Sequence, residues 1–142
     1  MAEHRDQHSR IRANLLTNVA GRVTPLIRAR GWKLGTLYEV YPDDTNLLGL
    51  NYNQGERIFI RLRSAINEYL PLPEIIDIML HELAHVEHPN HGPEFVMLWE
   101  QLRWEFGYNS GNGNRQDHSG IHISDQLIIP DKTDANTTVC PI

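Results

Sequence analysis

The stretch PEIIDIMLHELAHVEHPNH, residues 73–91, decides how the rest of the chain is read. Pro73 suits the first position of a helix, where its missing N–H is harmless. Ile76, Met79, Leu80, Leu83 and Val86 then recur on one face, which predicts a helix over 73–88 with that stripe against a core. Pro89 ends it, because the residue before a proline is pushed out of the α region. On such a helix His81 and His85 lie one turn apart, on a face other than the core stripe, so both rings reach one ion. Glu82 follows His81 by about 100° around the axis. This is HExxH: two neutral imidazole ligands, and a carboxylate placed to take a proton from a metal-bound water. His91 comes ten residues after His81, beyond the helix breaker, where the turn brings it back as a third ligand. Three protein ligands and a water are the pattern of catalytic zinc. Structural zinc normally has four protein ligands, usually with cysteines. The expectation is therefore zinc on His81, His85 and His91, with Glu82 as general base.

The flanking sequence reads outward from that helix. Gly92-Pro93 opens another helix, with Phe95, Leu98, Trp99, Leu102 and Phe106 as its buried stripe and Gly107 as its cap. Upstream, 47–63 alternates as a β-hairpin about the turn Asn53-Gln54-Gly55, and LYEVYP (37–42) reads as one more strand. Residues 11–30 predict a helix carrying Ile11, Leu15, Val19, Val23 and Ile27, with a kink or restart at Pro25 and a stop at Gly31. From 108 the composition turns to YNSGNGNRQDHSG, so 108–142 is expected to be a Gly/Asn-rich linker and C-terminal tail after a domain over 1–107 that carries the HExxH helix. The fold class expected is α+β: a small antiparallel or mixed sheet packed on the motif helix and flanking helices.

Composition narrows the classes of function. With 142 residues the chain supports one domain, and its single cysteine, Cys140, excludes a disulfide framework, which fits a reducing compartment. No apolar run of about 18 residues occurs, so no transmembrane helix is expected, and the charged start is not a secretory signal. The net charge is −5, yet residues 1–33 alone carry +5 and the remainder −10. An acidic total argues against a dedicated nucleic-acid binder, while the basic N-terminus leaves contact with DNA open.

Several further residues carry paired readings. Tyr108, His88 and Arg103 are candidate donors to the oxyanion. Asp77, one turn before His81, is either an acceptor for a ligand N–H or a solvent-facing carboxylate. Arg57, Arg61 and Arg63 either contact phosphates or form a solvated strand face. Trp32, Trp99 and Trp104 read as core or partly buried residues. HSGIH (118–122) falls in loop-like sequence, where the helical spacing of a metal pair is absent. DQLIIPD (125–131) resembles a SUMO-interacting strand, or packs on its own domain. Cys140 could cap the zinc as an inhibitory thiolate, if the tail folds back.

Two separated motifs, HELAH with His91 and Phe95, and EVYPDDTNLLGLNYNQGERIFIRLR (39–63), resemble the WLM family of metalloproteases, relatives of the SprT/Spartan proteases. The resemblance implies a compact zincin fold and a nuclear, DNA-stimulated protease that cleaves proteins crosslinked to or trapped on DNA. Single-stranded DNA would be the activator, with SUMO and an AAA segregase as further partners. Two other functions compete with it. One is a zinc-stabilised DNA- or SUMO-binding module without turnover. The other is a general zinc peptidase unrelated to DNA.

Overall fold

The computed structural model describes residues 8–41, 47–64, 66–109, 120–128 and 133–141. Along these the elements are α1 (Ser9–Arg30), β1 (Thr36–Val40), β2 (Leu47–Tyr52), β3 (Arg57–Ile60), α2 (Leu72–Ala84), α3 (Pro93–Asn109), β4 (His122–Ile128) and β5 (Thr137–Pro141). The strands form one mixed sheet in the order β4-β1-β3-β2-β5. The hairpin forms as its alternation predicts, with Leu50 opposite Phe59 and Tyr52 opposite Arg57. Asn53, Gln54 and Gly55 all turn with positive φ, 53°, 54° and 105°. At 105° a side chain would be strained, and a Cβ there would also meet Leu34 at 2.9 Å, so Gly55 is required.

The tail differs from its expectation. β4 pairs parallel to β1, and β5 pairs antiparallel to β2, so residues after 107 supply both edges of the sheet. Linker-like composition at 108–119 hid two short strands beyond it. The described part of the 125–131 stretch, 125–128, lies in β4, which is the reading in which it packs on its own domain. No helix among the described residues is long and apolar enough to cross a membrane.

The helices depart from prediction at their ends. α1 runs unbroken through Pro25 to Gly31, which caps it in the left-handed conformation at φ 65°. Its buried face is Arg12, Leu16, Val19, Val23 and Ile27, while Ile11 is 45% exposed. A repeat of four drifts about 40° per step on a helix of 3.6 residues per turn, so the predicted stripe could not stay on one face. α2 ends at Ala84 rather than 88: the chain tightens there, with His85 N–H donating to the Glu82 carbonyl and Val86 N–H to that of Leu83. α3 continues past Gly107 to Asn109.

Leu37, Ile58 and Ile60 from the sheet, Leu62 just after β3, Val19 and Val23 from α1, Leu83 from α2 and Leu102 from α3 meet in one core. Inside it lies an ionic group that the sequence reading did not foresee. Glu39 on β1 receives Arg12 Nε at 2.7 Å and Arg63 Nε at 2.8 Å, and all three are buried. Arg61, also buried, donates to the carbonyls of Arg63 and Leu47. Arg61 and Arg63 therefore form neither a phosphate-contacting nor a solvated face; they tie strands together. A buried charge persists only when paired in this way.

Candidate metal centre

α2 is apolar almost all round. Ile75, Ile76, Ile78, Met79, Leu80, Leu83 and Ala84 are buried, and so are Glu82 and His85. The HExxH face is thus not turned away from the interior, as the stripe had implied. It faces β2, and the turn after α2 returns His91 to it. The Nε2 of His91 lies 3.3 Å from that of His81 and 3.1 Å from that of His85. His85 is fixed by its other nitrogen, Nδ1, 2.9 Å from the carbonyl of His88. Nδ1 therefore carries the proton, and Nε2 presents a lone pair to the cluster.

Cys140 joins them from β5. Its Sγ is 3.3 Å from His85 Nε2, and one donor atom each from His81, His85, His91 and Cys140 all fall within 4.8 Å of one another. Ring lone pairs crowded this closely repel unless a proton or a cation lies between them. Three imidazoles and a thiol are donors that suit zinc, so the residues fit a metal.

Glu82 is fully buried beside this group. Asn51 on β2 donates from Nδ2 to the Glu82 carbonyl at 2.8 Å and to its Oε1 at 3.3 Å. Asn51 Oδ1 in turn accepts from the Gly55 N–H at 2.7 Å, so the hairpin turn sets the amide that holds the carboxylate. Glu82 Oε2 has no hydrogen-bond partner among the described residues. Burial pushes its pKa up to about 8, against smaller lowering by Cys140 and Asn51. Gly49 makes the space: a Cβ there would lie 2.6 Å from Glu82 Oε2 and 2.7 Å from the Phe59 carbonyl. Gly49→Ala is expected to destabilise the fold by about 1–3 kcal/mol, as overpacking does, and to displace the carboxylate. Urea unfolding measures the first effect and the loss of cleavage the second.

The imidazoles shift the opposite way. Burial takes His81 down to about 3 and His85 to about 4, with neighbouring imidazoles adding to it. Below pH 6.5 the unfolded chain protonates these rings while the folded chain does not, so their stabilisation is lost as pH falls. Glu82, raised from 4.5 to about 8, makes folding weaker as pH rises through that window. Two rings outweigh one carboxyl between about 4.5 and 6.5, and the carboxyl acts alone above. The metal-free protein should therefore melt highest near pH 6.5. With zinc, whose ligands must be deprotonated, the midpoint should keep rising toward pH 8. Thermal unfolding with and without a chelator checks this. A metal-free midpoint that climbs steadily through pH 8 would contradict it.

The remaining candidates fall away from the centre. Arg103 makes a bidentate pair with Asp77, both bonds at 2.7 Å, so neither residue is the donor or acceptor first considered for it in this arrangement. The His88 carbonyl orients His85. The side chain of Tyr108 and all of His118 lie outside the described residues, and His122 begins β4, exposed. Trp32 donates to Glu87 at 2.9 Å, Trp99 is partly buried, and Trp104 is 64% exposed, contrary to its expected burial. Arg57 is exposed and stacks on Tyr52. Sequence reasoning missed Gly49 and Asn51 as parts of the site, although the LLGLNYNQG stretch that carried the resemblance contains both.

Three convergent imidazoles beside a buried glutamate of α2, backed by a mixed sheet, give a zincin-like α+β fold around a group that could hold a metal ion. The chain belongs to the WLM domain family, whose model matches residues 2–138. It is similar to the DNA-dependent metalloprotease WSS1 of Saccharomyces cerevisiae, 37% identical over 91 residues, 63% of this chain and 34% of that protein. It is also similar to the DNA-dependent metalloprotease WSS1 homolog of Schizosaccharomyces pombe, 32% identical over 91 residues, 64% of this chain and 34% of that one. The chain thus spans about a third of the length of these curated relatives. The crystal structure of Wss1 from S. cerevisiae superposes with a TM-score of 0.68 at 33% identity, covering 70% of this chain and 80% of that one. Wss1 from S. pombe gives 0.58 at 29% identity, covering 66% and 78%.

Proposed function

We propose that this chain is a zinc-dependent protease domain that cleaves proteins crosslinked to or trapped on DNA, stimulated by single-stranded DNA and acting in the nucleus. The observation that carries it is the pairing of three convergent imidazoles with a buried carboxylate, Glu82, whose Oε2 is left unpartnered beside them. The names of its relatives, DNA-dependent metalloproteases, support the substrate class. His81, His85 and His91 would hold the zinc. When bound, it would supply Lewis acidity, polarising the scissile carbonyl and bringing the pKa of a coordinated water toward about 7. Glu82 takes the proton of the attacking water on Oε2 and returns it to the leaving amine. Asn51 keeps that carboxylate aimed, and the His88 carbonyl keeps Nε2 of His85 free of its proton. A cleft of about 430 Å³ beside His91, lined by Asn53, Gln54, Asn90, Asn136 and Thr138, offers neutral hydrogen-bonding groups suited to a peptide backbone. Docking to SUMO and to an AAA segregase is what the family resemblance implies; of the stretch considered for SUMO, 125–131, the described residues 125–128 lie in β4, which pairs with β1.

Cys140 supports a second reading. The sequence reading expected an open fourth position, and Cys140 Sγ lies 3.3 Å from His85 Nε2, close enough to take it. Four protein donors, one of them sulfur, describe a structural zinc and a binding module without turnover. Glu82 favours the enzyme: a structural site has no use for a buried carboxyl with one oxygen, Oε2, lacking a hydrogen-bond partner among the described residues. Cys140 also comes from an edge strand paired only to β2, and such a strand can leave.

The test is incubation with a histone on DNA, with and without single-stranded DNA and a chelator. Cleavage that needs both zinc and DNA is expected, falling with salt as phosphate contacts require. Equal cleavage without DNA would make it a general peptidase, and none under any condition would favour the binding module.

A further inference from the structure

His85 has a carbonyl for its second ring nitrogen, and His81 has nothing. Its Nδ1 is buried without a hydrogen-bond partner among the described residues. The rings around it, Phe95, Trp99, His85 and His91, offer no oxygen. Trp99 packs edge-on against His81, with centroids 4.6 Å apart, and its Nε1 is likewise buried and unpartnered. With a metal on Nε2, His81 carries its proton on Nδ1, so two N–H donors share one pocket that lacks an acceptor. Metal-bound imidazoles almost always donate that proton to a carboxylate, a carbonyl or water.

The carboxylate placed to serve is Asp77, one helical turn before His81 on α2. Both oxygens of Asp77 are engaged by Arg103, whose guanidinium lies 3.9 Å from the centroid of the Trp99 ring. That ion pair is held at the surface, with side chains 45% and 39% exposed, where such pairs contribute little. A rotation of Asp77 toward the orphaned donors is therefore inexpensive.

We propose that Asp77 is the positioning residue of His81: its carboxylate accepts the Nδ1–H, directly or through one water, and Arg103 competes for it. This rests on the proposed zinc site and adds to it the group that fixes the ligand whose second nitrogen is buried without a partner among the described residues. The balance between the two partners sets how firmly His81 is aimed, and hence how tightly zinc is held.

The experiment measures zinc affinity of the full chain against a chromophoric chelator, with the thermal midpoint of the metal-free protein as a control on folding. Asp77→Ala should weaken zinc about 10–100-fold, the usual effect of removing such a partner. Asp77→Asn, which keeps an acceptor, should recover part of the loss. Arg103→Gln frees Asp77 and should tighten zinc by a few-fold, although it breaks the same ion pair. In the zinc-loaded protein the His81 Nδ1–H should give a slowly exchanging NMR signal that Asp77→Ala removes. Unchanged affinity in Asp77→Ala, or equal weakening in Arg103→Gln, would reduce the pair to a staple between α2 and α3 and overturn the proposal. A wild-type chain that binds no zinc would instead overturn the reading of the centre itself.

Discussion

Glu82→Gln is expected to lower peptide cleavage about 10²–10⁴-fold, the range lost with a general acid–base group, while zinc stays bound. The substitution is close to isosteric. The Gln oxygen can still accept from Asn51. What disappears is the proton acceptor. The variant should also lose the decline in metal-free stability above pH 6.5, because an amide has no proton to release there. Cleavage of a DNA-bound protein at saturating zinc, with metal content measured on the same sample, separates the two effects. Full activity in the variant would remove Glu82 from the chemistry. Loss of zinc together with activity would mean that the carboxylate holds the site rather than works in it.

Cys140→Ala has the opposite sign. If the thiol occupies the position that substrate and water need, removing it should raise cleavage by about tenfold or more, since each 1.4 kcal/mol of ligation that no longer has to be broken is a factor of ten. The dependence on DNA should weaken in parallel, because a site already open gains less from an activator. Cys140 is buried opposite Gly49 in the β2–β5 pair, so the truncation also leaves a small void. A modest fall in the thermal midpoint is expected from that void, and it should not carry zinc loss with it. If the variant instead loses zinc and stays silent, Cys140 is a structural ligand and the centre is closed. A reagent that caps the thiol in the wild type gives an independent check, because it should activate only after β5 has come away.

The convergence of the histidines was legible because their spacing is local. HELAH, a helix breaker and one more histidine specify donor type, spacing and the direction of the return within eleven residues, and a helix fixes the rest. The hairpin was legible for the same reason: alternation sets the faces, and Asn53-Gln54-Gly55 sets the turn. The arginines of β3 and the loop after it were not. Arg61 and Arg63 alternate with Ile60 and Leu62 just as solvent-facing residues would, and only the arrival of Glu39 from another strand turns that face into an interior. Charge pattern along one strand cannot say what packs over it. The ends of the helices went astray for a related reason, since packing against the sheet decides where a turn tightens.

By itself, then, the sequence picked out the three imidazoles that converge, the carboxyl beside them and the hairpin, because each depends on neighbours a few residues away. Tertiary structure alone decided which partners lie across the chain from them. It brought Asn51 and Gly49 around Glu82 from β2. It made the last residues into strands, and it placed Cys140 against a histidine 55 positions earlier. Those contacts join segments whose pairing is set by the whole sheet, and the free energy that selects them is spread over many residues rather than written in any one stretch.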